Sequence, residues 1–283
     1  MKPSLITLRV WGDFACFTRP EMKVERVSYP VMTPSAARGV LEAVFWEPQM
    51  YYLVDSIRIV KKGRWVSFRR NEVTRVISLD SVKTWMRSPE KTSPIQAGGG
   101  ADDGTQRNML ALQDVEYLIS AEVRVTPLAN RLEDSLAKYL VEIERRARSG
   151  KCFHRPGLGM REFAADFEWE AEDADAALAR RSAELGQAPG QFNDDLGLML
   201  YDVFDHHERA EGFRWLSDAE ISNSQSQAPA VAGRRAKKQT AATRWSRAPI
   251  KPTATFFQAK IEGSRMDCHP ERVLFPTSAK GGN

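Results

Sequence analysis

The segment from Val115 to Val125 constrains the fold more than any other part of this sequence. Every second position is apolar, and the intervening positions are mostly polar. Because side chains on a β-strand alternate between its two faces, this pattern predicts a strand with one face in a core. The period then changes at once to helical spacing, with an apolar stripe at Leu132, Leu136, Leu140, Ile143 and Ala147 before Gly150. The pair predicts a strand that leads directly into an amphipathic helix.

Other periodic segments extend this pair to the order strand, helix, strand, strand, helix, strand. Further strands are predicted at residues 5–11, 51–60 and 163–169, and the Thr33-Pro34 start predicts a helix that ends before Pro48. Basic residues 61–75 are compatible with a local hairpin, and residues 88–105 with an exposed loop. This order is that of the ferredoxin-like fold. We therefore predict an α+β protein with a ferredoxin-like (RRM-like) N-terminal domain at residues 1–170.

The sequence after residue 170 predicts a linker and a smaller antiparallel β domain. Residues 171–190 are rich in Ala, Glu and Arg and are interpreted as a linker, and residues 191–283 contain strand-like segments at 196–204, 254–261 and 273–275. A basic insertion at 222–252 contains Lys and Arg residues and no acid. It is predicted to contact nucleic acid or a neighbouring subunit, and a solvated loop is an equally compatible interpretation.

Composition excludes several classes of protein. The 283 residues are 42% hydrophobic and 28% charged, which is typical of a folded domain rather than a disordered or fibrous chain. No apolar run is long enough to span a membrane, so we expect a cytoplasmic protein without membrane contact. The three cysteines are widely spaced and predict neither a disulfide framework nor a zinc site, and no metal or cofactor is expected. The net charge of +4 alone says little about partners, whereas the basic residues from Gln225 to Pro252, with no acid among them, make a polyanionic partner plausible.

Four features suggest chemistry, and each has an ordinary structural alternative. The loop 153–159 carries two glycines where a phosphate could approach, or is a plain helix-to-strand turn. The arginines of 69–75 are suited to single-stranded RNA, or form a solvated strand edge. The pair Lys138-Tyr139 on the second helix would flank a groove if the groove opens at the edge of the apolar stripe. The structural alternative is a surface lysine beside a core tyrosine. Phe45-Trp46 end the first helix, where Phe45 has the spacing of a core residue.

Taken together, several segments closely resemble the Cas5 family of CRISPR-associated proteins in its type I-C form. They are residues 11–20, the helix from Thr33 to Pro48, the 69–73 run, residues 157–163, and shorter matches at 195–200 and 256–259. The resemblance implies a subunit of the Cascade surveillance complex that binds the 5′ handle of the CRISPR RNA and processes the precursor transcript. Implied partners are the pre-crRNA repeat, the backbone and large Cascade subunits and, as an open possibility, target DNA.

The resemblance implies cleavage of RNA without a metal, through attack of a 2′-hydroxyl on the adjacent phosphate. Where the family has a tyrosine or histidine at the end of the first helix and a Lys-His pair on the second, this sequence has Phe45 and Lys138-Tyr139. We therefore predict Lys138 as the group that stabilises the phosphorane, with Tyr139 and His154 as proton-transfer candidates. The second helix and the glycine turn are expected to form the cleft together.

RNA binding is predicted for ten residues of this chain: Lys23, Arg26, Arg38, Arg69, Arg70, Arg75, Arg155, Gly157, Gly159 and Arg161. Two alternatives remain open at the level of sequence. One is a catalytically inactive subunit that only binds the handle, which Phe45 favours. The other is a general basic RNA-binding protein that recognises phosphates without regard to sequence.

Overall fold

The computed structural model describes residues 5–96, 98, 100, 102–129, 134–204, 206–220 and 245–276. The strands are β1 (Leu5–Ala15), β2 (Arg26–Val27), β3 (Met50–Lys61), β4 (Arg64–Val73), β5 (Gly104–Val125), β6 (Asp166–Glu170), β7 (Asp194–Asp202), β8 (Phe213–Trp215), β9 (Trp245–Arg247), β10 (Thr255–Ile261) and β11 (Arg265–Asp267). The α-helices are α1 (Pro34–Val44), α2 (Leu79–Arg87), α3 (Leu136–Arg148), α4 (Ala174–Glu184) and α5 (His206–Glu211). The chain is therefore a mixed α and β protein with antiparallel sheets.

Strand β5 is the centre of the main sheet. The order is β11-β3-β5-β1-β6, and each neighbouring pair in that order is antiparallel. The apolar residues of the 115–123 alternation are buried on the face that carries α1 and α3, whereas Leu118 packs with α4 on the other face. The strand predicted at 115–125 is thus confirmed, although β5 begins at Gly104, well before the predicted strand.

Capping residues explain where the two helices on the core face begin. Thr33 Oγ1 accepts a hydrogen bond from the Ala36 backbone N at 3.3 Å, and Pro34 occupies the first turn of α1. Ser135 plays the same part for α3, accepting from the Lys138 backbone N at 3.3 Å. The start of α3 is therefore fixed so that Lys138 lies in its first turn.

The basic stretch 61–75 is not a local hairpin. Strand β3 pairs with the second half of β5, and the chain then continues as β4 beside the first half of the same strand. The β4–β5 pairing runs from Arg64 opposite Gln113 to Val73 opposite Gly104. Gly63, with φ +76°, lies at the junction, and a Cβ there would lie 2.8 Å from the Gln113 carbonyl oxygen. The pairing partner lies far along the chain, so the local pattern predicted a strand but not its neighbour.

The C-terminal part shares the main core. The strands predicted at 196–204 and 254–261 are present as β7 and β10, which pair with each other and place Met199, Phe257 and Ile261 in the same apolar cluster as α1 and α3. The strand predicted at 273–275 is wrong; β11 pairs with β3 at the sheet edge instead. Helix α4 occupies most of segment 171–190 and packs on β3 and β5 through Ala177 and Leu178.

The predicted final strand of the N-terminal unit is shifted. It was expected at 163–169, and β6 covers Asp166–Glu170. Of the basic insertion, residues 222–244 lie outside the described residues, and Trp245–Arg247 form β9. Within the described ranges, no helix combines the length and apolar character that crossing a membrane requires.

Candidate functional site

A cleft of about 470 Å³ lies between the first turn of α3 and the segment that follows α1. Its lining residues are Phe45, Glu47, Ser135, Ala137, Lys138, Tyr139, Val141 and Glu142. Helix α1 ends at Val44, and the extended backbone of Phe45 (φ −156°, ψ 129°) brings residues 45–47 to the cleft. The second wall is thus the end of α1, whereas the glycine turn had been expected to form it.

Lys138 and Tyr139 are joined through one carboxylate. Lys138 Nζ lies 3.2 Å from Asp134 Oδ1, and the Tyr139 hydroxyl donates to the same oxygen at 2.9 Å. The Lys138 side chain is 51% exposed, while Tyr139 is fully buried in the core. Lys138 is therefore a surface lysine and Tyr139 a core tyrosine, as the structural alternative predicted. The ammonium group of Lys138 nevertheless lies at an open cleft.

The environment of Tyr139 favours the protonated phenol. Burial, followed by the hydrogen bond to Asp134 and the negative charges of Asp134 and Glu47, raises the pKa of Tyr139 well above its ordinary value near 10. At neutral pH the hydroxyl therefore keeps its proton. This environment opposes a role as general base and leaves only a donor role.

Phe45 is a core residue whose ring also faces the cleft. Its ring centroid lies 6.4 Å from that of Tyr139, and the Arg146 guanidinium lies 5.0 Å from the Phe45 ring. Glu142 binds both Arg145 and Arg146, each with an N–O distance of 2.7 Å. Hydrogen bonding to Arg145 lowers the pKa of Glu142 to about 2, so this carboxylate is ionised at neutral pH and offsets part of the positive charge at the cleft.

His154 approaches the end of α1 by a different route. The backbone N–H groups of Phe153 and His154 both donate to the Ala43 carbonyl oxygen, at 2.8 and 3.2 Å. The His154 side chain is exposed, and it is not part of the lining of the Lys138 cleft. The structure therefore attaches His154 to the same helix end as Phe45 without placing it in the cleft with Lys138.

The two glycines of the turn serve close backbone packing. Gly159 has φ +82°, and a Cβ there would overlap the Cys16 carbonyl oxygen and lie 2.7 Å from its carbon. At Gly157 a Cβ would meet the Met160 carbonyl oxygen at 2.5 Å. The turn is also bonded to the end of β1, because Cys16 N donates to the Leu158 carbonyl oxygen at 3.0 Å. These contacts explain both glycines by packing, and RNA contact by them stays a prediction.

Several predicted RNA-binding arginines converge on the β4–β5 arm. Glu72 lies near Arg26, Arg70 and Arg107, at 3.9, 3.6 and 3.2 Å. Arg70 also contacts Glu162 at 3.1 Å, whereas Arg69 is exposed on the same strand. A hollow of about 230 Å³ lies here, lined by Phe68, Arg69, Arg70, Met109, Met160, Glu162 and Phe163. The structure thus brings Arg26, Arg69 and Arg70 together on one surface next to the glycine turn.

Arg38 is not on that surface. Its guanidinium binds Asp202 at 2.7 and 3.1 Å and Glu42 at 2.7 Å, and its side chain is 15% exposed. The carboxylates Glu42 and Asp202 raise the pKa of Arg38 despite its burial. The prediction that Arg38 binds RNA is at odds with this position, in which the guanidinium links α1 to β7 instead.

The remaining predicted contacts are dispersed. Arg75 pairs with Asp103 at 2.7 Å and Arg155 with Asp166 at 3.2 Å, both with their side chains mostly exposed. Lys23 and Arg161 are exposed, and within the described ranges no carboxylate lies at ion-pair distance from either. These four residues are accessible to a ligand but do not form one site.

Sequence reasoning missed the acidic partners of the cleft. Asp134, Lys138 and Glu142 follow one another at four-residue spacing, which places them on one side of a helix. That spacing was available as a signal for an ion-paired helix edge. The link from Asp134 to Tyr139 was not available, because it depends on where the N-cap turn of α3 lies relative to the core.

Comparison with known proteins gives a consistent result. The family model described as "CRISPR-associated protein (Cas_Cas5)" matches residues 5–246. A protein of Mannheimia succiniciproducens named "CRISPR pre-crRNA endoribonuclease Cas5d" is 40% identical over 219 residues, covering 77% of this chain and 92% of the relative. A protein of the same name from Thermus thermophilus is 41% identical over 199 residues, covering 70% and 72% of the two chains.

Solved structures with low sequence identity share the fold. One described as "Crystal Structure of CRISPR-associated Protein" superposes with a TM-score of 0.50 at 17% identity, covering 94% of this chain and 91% of its own. A functionally uncharacterized protein of Streptococcus mutans gives a TM-score of 0.51 at 16% identity, with coverage of 97% and 98%. At these identities the two structures bear on the fold alone.

Proposed function

This chain belongs to the Cas5d family of CRISPR-associated proteins, and we propose that it binds the 5′ handle of the CRISPR RNA and cleaves the precursor transcript. The relatives whose names state pre-crRNA endoribonuclease activity are 40 and 41% identical to it over most of its length. The observation that supports a reaction centre is the open cleft at the start of α3, where the Lys138 ammonium group is held beside Asp134.

The proposed reaction is transesterification within the RNA strand. A base removes the proton of the 2′-hydroxyl, the 2′-oxygen attacks the adjacent phosphorus, and the bond to the departing 5′-oxygen breaks as that oxygen is protonated. The products are a 2′,3′-cyclic phosphate and a 5′-hydroxyl. Lys138 is the proposed stabiliser of the phosphorane charge, because a positioned cation acts most strongly where negative charge develops.

Proton transfer requires a group other than Lys138. His154 is the proposed base, because its exposed side chain lies at the same end of α1, where its backbone N–H donates to the Ala43 carbonyl oxygen. This role requires the RNA to pass from the Lys138 cleft around the end of α1 to His154. Tyr139 carries its proton, so it is proposed to position Lys138 through Asp134 and not to act as a base. The exposed Arg69 and the half-buried Arg70, which contacts Glu72 and Glu162, are proposed to hold RNA backbone at the β4–β5 arm.

Metal independence is tested together with activity. Purified protein is incubated in EDTA with repeat RNA and with the same RNA carrying a 2′-deoxy substitution at the cut site. Cleavage of the first RNA only supports the proposal. Cleavage of neither, with tight binding of both, supports the rival function of a catalytically inactive handle-binding subunit. The specific observation that favours this rival is Phe45, which cannot transfer a proton at the end of α1.

The same proposal includes assembly and architecture. The strand order of β3, β5, β1 and β6, with α1 and α3 on one face, supports a ferredoxin-like unit over residues 1–170. A linker at 171–190 and a smaller β-rich unit at 191–283 remain proposals. We also propose a cytoplasmic Cascade complex with backbone and large subunits as partners; co-purification of this chain with those subunits and crRNA tests it, and contact with target DNA is a separate hypothesis.

A further inference from the structure

The short strands β8 and β9 present aromatic residues on one face. Phe213 lies opposite Arg247, and Trp215 lies opposite Trp245. Residues directly opposite in an antiparallel pair, and residues two apart on one strand, share a face. We call the four residues Phe213, Trp215, Trp245 and Arg247 the aromatic ladder.

Burial falls along the aromatic ladder. Phe213 is buried, with its ring 6.3 Å from Trp46 and 5.4 Å from Trp245. Trp215 at the far end is 48% exposed, and Trp46 is 37% exposed. The inner ring therefore anchors the ladder to the protein, while the outer indole retains a free surface.

Positive charge accompanies the aromatic rings. The Arg247 guanidinium lies 5.1 Å from the Phe213 ring, and among the described residues no carboxylate lies within ion-pair distance of it. Burial lowers the pKa of Arg247, the neighbouring positive charges of Arg209 and Arg38 lower it further, and the negative charge of Glu42 offsets part of this effect. An anion beside Arg247 would relieve this repulsion, which favours a ligand that combines planar rings with negative charge.

The aromatic ladder adjoins the Lys138 cleft through three consecutive residues. Phe45 and Glu47 line the cleft, and Trp46 between them packs on Phe213. The extended backbone at Phe45 explains why neighbouring side chains serve two surfaces, because successive side chains of an extended chain point to opposite sides. Residues 45–47 therefore separate the cleft from the aromatic ladder, and an RNA strand that crosses this segment would pass from one surface to the other.

We propose that the aromatic ladder binds unpaired bases of the RNA strand that continues from the Lys138 cleft. Trp215 stacks on a base, and Arg247 pairs with an adjacent phosphate. Indole faces accept any base by stacking, and a guanidinium supplies the charge that a purely apolar protein-docking patch does not need. The position of this surface relative to the cut rests on the proposed function, whereas its affinity for single-stranded RNA does not.

The test uses the full-length protein and a short fluorescein-labelled oligoadenylate. Fluorescence anisotropy measures its affinity for the wild type, Trp215→Ala, Trp215→Phe and Arg247→Gln. Loss of one stacking contact predicts an affinity about tenfold weaker for Trp215→Ala and close to wild type for Trp215→Phe. Leu198→Ala removes a different exposed apolar side chain, 55% exposed on β7, and should leave the affinity unchanged. Urea unfolding of each variant separates a binding defect from a folding defect.

The outcomes separate this proposal from the proposed cleavage. Equal affinity of wild type and Trp215→Ala, or equal weakening by Trp215→Phe, overturns the stacking role even if repeat RNA is cut normally. Trp215-dependent binding of oligoadenylate by a protein that cuts no repeat RNA keeps the aromatic ladder and overturns the nuclease. Undiminished binding by Arg247→Gln removes the phosphate contact from the proposal.

Discussion

The two sides of the α1 end show how similar sequence signals are used differently. On one side, the pair Lys138-Tyr139 lies at an open cleft with an exposed ammonium group. On the other, the glycines of the 153–159 turn pack against backbone, and Gly159 meets the Cys16 carbonyl so closely that a side chain has no space. A glycine-rich turn and a basic helix edge both suggested RNA contact, but only the helix edge combines an exposed charge with a cavity.

Gly159→Ala is the strongest test of this contrast. The added Cβ overlaps the backbone at Cys16 and occupies a left-handed conformation, so the free energy of unfolding should fall by about 3 to 4 kcal/mol. Gly150→Ala is the matched control, because Gly150 has φ +64° with no atom near the added Cβ. It should cost only about 1 kcal/mol. Urea unfolding measures both, and equal losses would contradict the packing role of Gly159.

Lys138→Ala tests the cleft side. Loss of a positioned cation should lower the rate of repeat cleavage by about 10²- to 10³-fold. The free energy of unfolding should fall by only about 1 kcal/mol, because the lysine is half exposed and the largely buried Asp134 carboxylate keeps its hydrogen bond from Tyr139. Single-turnover cleavage and urea unfolding are measured on the same protein, with Lys138→Arg as the charge-conserving control. Cleavage at the wild-type rate would remove the catalytic assignment.

Tyr139→Phe should lower the cleavage rate less than Lys138→Ala does. Loss of the hydrogen bond to Asp134 should cost about 1 kcal/mol of unfolding free energy at neutral pH. The folded-state pKa of Tyr139 is raised, so its stabilising contribution is present below the unfolded pKa of about 10 and is lost as pH rises above it. Wild type should therefore lose stability above about pH 10 more steeply than the variant.

The cleavage rate of Tyr139→Phe decides between positioning and proton donation. A residue that only positions Lys138 through Asp134 should change the rate by less than about tenfold, whereas loss of a proton donor costs about 10² or more. The pH–rate profile supplies the second measurement. A profile that loses its alkaline limb in the variant would show that the phenol donates the proton.

Local periodicity predicted much of the fold, and its failures share one cause. Strand β1, helix α1, strand β3 and helix α3 follow from alternation and capping signals near each element. The 61–75 hairpin failed because β4 pairs with β5 across the intervening residues 74–103. Period determines which face of a strand is buried, but it carries no information on which distant strand lies beside it.

In the candidate site, too, local sequence predicted some residues, whereas contacts between distant residues were missed. The Lys138-Tyr139 pair was identified from the sequence as a surface lysine beside a core tyrosine, and the sequence segments at residues 11–20 and 157–163 indicated the family. Arg38 was indistinguishable in sequence from an RNA-binding arginine, because Asp202, which binds it, lies on β7 far along the chain. The aromatic ladder was missed for the same reason, since Trp46, Phe213 and Trp245 meet only after folding.

The sequence by itself therefore determined the family, the alternation of β5, the start of α1 and the chemical groups available for RNA. Tertiary structure decided which of those groups remain accessible. It engaged Arg38 and Gly159 in internal contacts, joined Lys138 to Tyr139 through Asp134, and left Trp215 partly uncovered. The physical reason is that a side chain's availability depends on the partners that surround it, and partners far apart in the chain are chosen by packing rather than by local pattern.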